Sequence, residues 1–208
     1  MTEFQVLALF PTPVYMSTIE VNDNIVTLVK QTSYTRTQPN NDAWRSASTH
    51  ILDLPEYQYI REEILKHVNH FIKNICLVKA AITFELKNSW IMKHEKGDYA
   101  EKHYHINSVL SGILYIDADE NSGDIVFRKN MGYQTLFPGN LAFDLAEFNL
   151  LNADNWQFTP KKNLLLLFPS HLDHEVEPSK SDNTRYCIAF NLFPSGDLGL
   201  NDITELKL

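Results

Sequence analysis

The 208-residue chain is poor in cysteine, in basic side chains and in long apolar runs, and each shortage excludes a class of protein. Two cysteines, Cys76 and Cys187, are too few for a disulfide framework, and we expect both to be buried free thiols. A net charge of −8 disfavours a general nucleic-acid binder, whose surface is usually basic. The longest apolar runs, such as NLLLLFPS, are much too short for a membrane-spanning helix.

The first residues, MTEFQVLALFPTPVYM, also lack the features of a signal peptide. They contain no basic segment followed by a long apolar core and a small-residue cleavage site. We therefore expect a cytoplasmic protein with no membrane association.

The composition that is present is that of an ordinary globular domain. Hydrophobic residues make up 44% of the chain and aromatic residues 12%, which is enough for a full core. No internal repeat, low-complexity tract or linker divides the sequence. We predict a single domain over residues 1–208, with a helical N-terminal part, residues 1–80, and a β core, residues 81–208.

The N-terminal part carries two helical patterns. The first runs from Asn22 to about Thr37, with apolar residues at helical spacing. The second has a stronger start signal, because Asp53 can cap it, Pro55 suits the first turn and Glu56 can complete a capping box. One apolar stripe then follows along the helix: Tyr57, Ile60, Ile64, Val68, Phe71, Ile72 and Ile75.

After residue 80 the pattern changes to short apolar or alternating segments separated by Gly, Pro, Asn and Asp. The segments are AITFELKNSWIMKHE, VLSGILYIDA, GDIVFRK, GNLAFDLA, NLLLLFPS and TRYCIAFNLF. This spacing is typical of an antiparallel sandwich or barrel. The sequence therefore predicts a mainly β protein whose two helices lie outside the β core.

The stretch EKHYHINSVLSGILYID contains a candidate metal site. Side chains at i and i+2 of an extended chain point to the same face, so His103 and His105 can converge on one ion. His171 and His174 follow a buried-looking strand, where a jelly roll brings a loop back over its open end. Iron, manganese, cobalt and zinc would all accept imidazole ligands. Histidines with a purely structural role are the alternative at this point.

Arg185 is the second candidate, because it opens an apolar strand. A guanidinium inside a barrel needs an anionic partner, since burying it unpaired would cost several kcal/mol. That partner is either a protein carboxylate, such as Asp117 or Asp144, or the carboxylate of a ligand held by the planar fork. The other residues on the same face are small or polar: Cys187, Ala189 and Asn191.

Four stretches, taken together, resemble the iron(II)- and 2-oxoglutarate-dependent oxygenases. They are LFPTPVY, AWRSASTHILDLPEY, SWIMKHEKGDYAEKHYHINSVLSGILYID and LFPSHLDHEVEPSKSDNTRYCIAFNLF. More closely, they are similar to a bacterial and phage group of such oxygenases with unassigned substrate. The resemblance implies a double-stranded β-helix, the jelly-roll or cupin-like barrel, with N-terminal helices packed outside.

The resemblance also implies a set of site residues. His103, His105 and His174 would bind iron(II), and Arg185 and Tyr115 would hold the cosubstrate 2-oxoglutarate. The superfamily usually has His-x-Asp or His-x-Glu where this chain has His-x-His. The implied activity is that of a dioxygenase that hydroxylates an unidentified substrate and releases succinate and carbon dioxide.

Two other functions remain open on the sequence. A three-histidine cupin-type metalloprotein that does not use 2-oxoglutarate would explain the histidines but leave Arg185 unexplained. A non-catalytic barrel of the same fold would keep the metal without turnover. The expected partners are a small-molecule cosubstrate and an unknown substrate, and the sequence is compatible with a monomer or a homodimer.

Overall fold

The structure is a computed structural model that describes residues 5–37, 43–129, 144–199 and 205–208. The helices in these ranges are α1 (Asp23–Gln31) and α2 (Gln58–Asn69). The strands are β1 (Tyr15–Thr18), β2 (Tyr34–Arg36), β3 (Trp44–Ser46), β4 (Thr83–His94), β5 (Ala100–His103), β6 (Leu110–Asp117), β7 (Ile125–Arg128), β8 (Asn155–Phe158), β9 (Leu164–Pro169), β10 (His174–Val176), β11 (Arg185–Ser195), β12 (Asp197–Leu198) and β13 (Leu206–Lys207). The predicted strand GNLAFDLA lies mostly outside the described residues.

Two antiparallel sheets form the β core. In the described residues the larger sheet has the order β1-β9-β6-β11-β4-β3-β2, and the smaller has the order β5-β10-β7-β8. Strands β12 and β13 form a separate pair. The two main sheets pack face to face as a jelly roll, so the predicted double-stranded β-helix fold is confirmed.

Side-chain alternation along the central strands creates two separate apolar layers. One layer lies on the helix side of the large sheet, where Ile188 and Phe190 pack with the buried faces of α1 and α2. The other lies between the two sheets and surrounds the base of the candidate site. Its buried members are Ile113, Tyr115, Ile125, Phe127, Leu164, Leu166, Phe168 and Cys187.

Helix α1 begins where the sequence predicts but ends earlier. The Asn22 side chain accepts a hydrogen bond from the Ile25 amide at 3.1 Å and caps the first turn. The helix stops at Gln31 instead of continuing to Thr37, because Tyr34–Arg36 forms β2 and pairs with β3. The predicted C-terminal end of this helix was wrong.

The start of α2 also differs from the prediction. Two short 3₁₀ turns precede the helix, and Asp53 makes an ion pair with Arg61 at 2.6 Å instead of capping. The predicted apolar stripe is buried as far as Ile72. Ile75 is exposed because the helix widens into a π-helical turn, which rotates later residues off the buried face. Cys76, at the end of this turn, is exposed rather than buried, whereas Cys187 is buried as expected.

The N-terminal part contributes strands as well as helices. Strand β1 pairs with β9 at one edge of the large sheet, and β2 and β3 extend the other edge beyond β4. These short strands satisfy backbone groups that the edges of the core sheet would otherwise leave unpaired. Among the described residues, every helix is too short or too polar to cross a lipid bilayer.

The central strand β6 requires a glycine at position 112. An added Cβ would lie 2.8 Å from Leu167 Cδ2 and closer still to the ring of Phe190, and both neighbours are fully buried. We expect Gly112→Ala to lower the free energy of unfolding by about 1–3 kcal/mol, because the overpacked ring cannot move into solvent. Urea denaturation measures this loss.

A compensated variant separates overpacking from a loss of backbone freedom. Phe190→Leu removes the ring that the new methyl group would meet. The double variant should therefore lose less stability than the sum of the two single variants. Strict additivity would show that the contact with Phe190 is not the cause.

Candidate metal and anion site

Three histidines meet where the small sheet opens toward the large one. His103 ends β5 and His174 begins β10, and these two residues face each other across the strand pair. His105 follows two residues after His103, and its backbone amide donates to the Ser170 carbonyl at 2.8 Å. One ligand nitrogen from each histidine lies within 4.8 Å of the other two. The i, i+2 pair and the third, distant histidine therefore converge on one point.

Hydrogen bonds to the Nδ1 atoms determine which nitrogen is free. Nδ1 of His103 lies 2.7 Å from the Glu101 carbonyl oxygen, and Nδ1 of His174 lies 2.8 Å from the Leu172 carbonyl oxygen. A carbonyl oxygen can only accept, so each Nδ1 carries the proton. The Nε2 lone pair of each ring is left for a metal ion.

His105 is held in the same tautomer by a side chain. Its Nδ1 lies 2.6 Å from Asn191 Oδ1, which also accepts from the Ser111 hydroxyl at 2.7 Å. The Asn191 amide nitrogen donates to Asn88 Oδ1 at 2.9 Å, which fixes the direction of the amide. Asn191 is therefore a positioning residue for His105.

Burial keeps two of these imidazoles neutral. Desolvation is the main cause that lowers the pKa of His105, and desolvation together with the nearby His103 lowers the pKa of His174 to about 3. Both rings therefore offer lone pairs at neutral pH instead of competing for protons. Three imidazoles with converging Nε2 atoms fit a divalent transition metal such as iron(II).

Arg185 lies at the base of the same cavity with only 1% of its surface exposed. Its Nη1 donates to the carbonyl oxygens of Ser122 and Gly123 at 3.1 and 3.0 Å. Within the described ranges, its Nε and Nη2 have no partner. These two atoms form the edge of the guanidinium that binds a carboxylate in bidentate fashion.

The protein carboxylates considered as partners of Arg185 are placed elsewhere. Asp117 makes an ion pair with Lys30 at 2.7 Å, and Asp144 is exposed. The buried guanidinium therefore presents an unmatched positive charge to the cavity, which an anionic ligand would neutralise.

Two more buried polar side chains without partners adjoin Arg185. The Tyr115 hydroxyl has none in the described part of the chain, and its ring centroid lies 5.9 Å from the guanidinium carbon. His94 is opposite Arg185 in the pairing of β4 with β11, and neither of its ring nitrogens has a partner among the described residues. Burial raises the pKa of Tyr115, and burial followed by the charge of Arg185 lowers the pKa of His94. Both therefore stay neutral, with an O–H and an N–H to donate.

A cavity of about 440 Å³ contains the three histidines, His94 and Arg185. This volume is within the usual range for small-molecule sites. His171 is exposed and does not line the cavity. The apolar wall includes Trp90, Met92, Ile113, Ile125, Phe168 and Ala189.

Sequence patterns alone did not indicate the contributions of His94 and Asn191. Alternation along SWIMKHE would have placed His94 on the face of Trp90 and Met92, but only the register with β11 puts it beside Arg185. Asn191 was placed on the face of Arg185, yet its contact with His105 joins residues 86 positions apart. Neither contact has a local sequence signal.

A comparison with protein-family models gives one match. The family described as "Putative 2OG-Fe(II) oxygenase" matches residues 88–191, half of the chain, where 2OG is 2-oxoglutarate. This range includes Tyr115, Arg185 and the three histidines of the cavity. None of the curated proteins matches the chain in sequence.

Solved structures with low sequence identity share the fold. An oxidoreductase of the 2OG-Fe(II) oxygenase family from Burkholderia pseudomallei is 12% identical, with a TM-score of 0.58 over 81% of this chain and 76% of that one. A prolyl hydroxylase from Trichoplax adhaerens, in complex with a hypoxia inducible factor peptide, is 17% identical, with a TM-score of 0.55 over 82% and 74%. HygX from Streptomyces hygroscopicus, with nickel, 2-oxoglutarate and hygromycin B bound, is 10% identical, with a TM-score of 0.56 over 87% and 82%. At these identities the likeness concerns the fold alone.

The role of Asn191 is testable through metal affinity. We expect Asn191→Leu to weaken cobalt(II) binding by about 10- to 100-fold, because His105 loses the acceptor that fixes its tautomer. Asn191→Asp keeps an acceptor and should retain affinity close to that of the wild type. Titration with cobalt(II), followed by its visible absorption, measures both.

Ser170→Ala is the matched control for Asn191→Leu. It removes a hydroxyl that contacts Ser111 but leaves the hydrogen bond between Asn191 and His105 in place. Cobalt(II) affinity should change little in this variant. Wild-type affinity in Asn191→Leu would show that Asn191 does not orient the ligand.

The buried His94 predicts a pH dependence of apo-protein stability. Because its folded-state pKa is lowered, the unfolded state takes up a proton below about pH 6.5 and the folded state does not. The contribution of His94 therefore lowers the free energy of unfolding as the pH falls, by up to about 1.4 kcal/mol per pH unit. Urea denaturation between pH 7 and pH 5 should show a shallower slope for His94→Gln than for the wild type. Equal slopes would mean that His94 is protonated in the folded protein.

Proposed function

Because this chain belongs to the 2OG-Fe(II) oxygenase family, whose members use iron(II) and 2-oxoglutarate, we propose that it hydroxylates a small organic substrate at the cavity described above. The chain is an enzyme of the dioxygenase class. The hydroxylation, the small size of the substrate and the roles of individual residues are proposed.

The three histidines are proposed to hold the iron. His103, His105 and His174 would each bind through Nε2, since their Nδ1 atoms are engaged. Supplying three neutral nitrogens instead of two nitrogens and a carboxylate leaves the centre one unit more positive than in the usual ligand set. The metal ligands thus differ in charge from those of the wider superfamily.

Arg185 is proposed to hold the distal carboxylate of 2-oxoglutarate. Its Nε and Nη2 would donate to the two carboxylate oxygens, while Tyr115 and His94 each supply one further donor. The observation that carries this assignment is the unpartnered edge of a guanidinium that is 1% exposed. A group buried in this way needs an anion, and the cosubstrate of the family is a dianion.

When bound, iron(II) and 2-oxoglutarate would supply, with molecular oxygen as the oxidant, oxidative decarboxylation to succinate and carbon dioxide; one oxygen atom enters succinate and the other hydroxylates a substrate C–H bond. The residues of the chain hold and orient the reactants. Arg185 fixes one end of the cosubstrate and the histidines fix the position of the other. The side chains of Ile113, Ile125 and Phe168 keep water from the space between them.

The three-histidine metalloprotein without 2-oxoglutarate is the second candidate. It accounts for the histidines and for the hydrogen bonds to Nδ1. It gives no reason for a buried arginine with a free bidentate edge next to two neutral donors. The oxygenase function is therefore preferred.

Three further expectations concern the chain as a whole rather than the cavity. A single domain over residues 1–208, a cytoplasmic location and a monomeric or homodimeric state stay predictions from the sequence.

Two variants test the separate roles of metal and anion sites. His174→Ala should lose iron binding, and with it 2-oxoglutarate decarboxylation. Arg185→Gln should bind iron as the wild type does but weaken 2-oxoglutarate by about 100-fold or more, since a buried charge pair loses one partner. Anaerobic titration with iron(II) and then 2-oxoglutarate, followed by the weak visible band of the chelated keto acid, separates the two effects.

His171→Ala is the control for these variants, because this histidine is exposed and lies three residues from His174. It should leave both titrations unchanged. Normal cosubstrate binding by Arg185→Gln would contradict the role given to Arg185. Iron binding by the wild type without the visible band would favour the metalloprotein that does not use 2-oxoglutarate.

A further inference from the structure

The wall of the cavity contributed by β3 carries an arginine with no assigned role. Arg45 pairs with Met92 across β3 and β4, and both residues line the cavity. The neighbouring residues Trp44 and Arg36 lie together on the other face, where the guanidinium of Arg36 stacks on the indole at 5.1 Å. Strand alternation therefore directs Arg45 inward and separates it from the outer cluster.

The Arg45 guanidinium is exposed and, in the described ranges of the chain, has no ion-pair partner. The described residues that line the cavity include no carboxylate at all. Glu95 and Glu175, which adjoin lining residues in sequence, each pair with a cation, Glu95 with Lys93 and Glu175 with Arg128. Among the described residues of the cavity lining, no carboxylate therefore offsets the positive charge of Arg45.

With iron(II) and 2-oxoglutarate bound, the excess of positive charge in the cavity is larger. This step rests on the proposed function. The two negative charges of 2-oxoglutarate offset the two positive charges of iron(II). The three histidines add none, whereas a carboxylate ligand would have added one negative charge. Arg185 and Arg45 then leave the cavity with two uncompensated positive charges, although the whole chain carries a net charge of −8.

We propose that the substrate is a small organic acid, carrying a carboxylate or a phosphate that Arg45 binds at the cavity mouth. Trp90 lines the same wall, two residues from Met92 along β4, and its ring centroid is 5.9 Å from that of His105. The apolar part of the substrate packs on this indole, which places its carbon atoms next to the metal site. A locally positive cavity in an acidic protein also concentrates anions where they react.

Binding of matched acid and amide probes tests the proposal. The pairs are hexanoate with hexanamide and benzoate with benzamide, and phenyl phosphate represents the phosphate class. The protein is loaded with manganese(II) and saturated with 2-oxoglutarate, and paramagnetic relaxation of the probe protons reports binding near the metal. We expect about three- to fivefold stronger relaxation of each acid than of its amide, as for an exposed ion pair.

The preference should disappear in Arg45→Gln and persist in Arg45→Lys, which keeps the charge. Lys162→Gln is the matched control, since it removes one positive charge from an exposed turn outside the cavity. Arg45→Lys and Lys162→Gln should both retain the preference for acids over amides. All variants should bind 2-oxoglutarate as the wild type does, and added salt should reduce the preference.

The outcomes separate this inference from the proposed function. Failure of 2-oxoglutarate to bind the loaded wild type overturns the proposed function and this inference with it. Normal 2-oxoglutarate binding, with equal relaxation of acids and amides and no response to phenyl phosphate, overturns the anionic substrate alone. An acid preference that survives in Arg45→Gln overturns the role of Arg45. A response to phenyl phosphate but not to the carboxylates supports the proposal and assigns the anion as phosphate.

Discussion

The candidate site depends on the register of β11 between β4 and β6. This pairing puts Arg185 beside His94 on one side and brings Tyr115 near on the other. Six residues further along, the same register places Asn191 against Asn88 and Ser111, within reach of His105. A shift of one residue would turn both the arginine and the asparagine toward the helices. One strand alignment thus positions both Arg185 and the asparagine that orients His105.

The chemical character of the cavity follows from the absence of carboxylates among its described lining residues. The described residues supply it with imidazole, guanidinium, hydroxyl and amide groups, and with no carboxylate. In the proposed metal site His105 supplies a neutral ligand, so the metal centre would keep its full positive charge. Neutral ligands and cationic walls together favour anionic ligands at both ends of the cavity. The histidine at position 105 and the arginine at position 45 are therefore parts of one electrostatic pattern.

Much of this arrangement could be predicted from the sequence, because it depends on periodicity. Alternation assigned Arg185, Cys187, Ala189 and Asn191 to one face of a strand, and the structure shows that face lining the cavity. The rhythm of short strands predicted an antiparallel sandwich or barrel, and the family resemblance implied the jelly roll. The family resemblance named the three histidines, and the structure brings them together.

The errors and omissions have physical causes that local patterns do not contain. Asp53 carries a good capping signal but pairs with Arg61, and Ile75 continues a helical stripe that a π-helical turn interrupts. Tyr34–Arg36 was assigned to a helix because its pairing with β3 is a tertiary contact. His94 was missed for the same reason, since its neighbour Arg185 is 91 residues away in sequence.

The loop whose carbonyl groups hold the Arg185 guanidinium affects the affinity of the cavity for a carboxylate. Ser122 and Gly123 hold the guanidinium through their carbonyl groups, and Asp119 ties that loop to Ser181 at 2.6 Å and to Asn183 at 3.0 Å. This loop requires glycine at position 123, because its φ is +86° and a Cβ there would collide with the Glu177 carbonyl. The arginine has therefore given up its rotamer freedom on folding, an entropy of about 2 kcal/mol. An arriving carboxylate meets a preorganised fork, and its affinity is not reduced by the ordering of a flexible side chain.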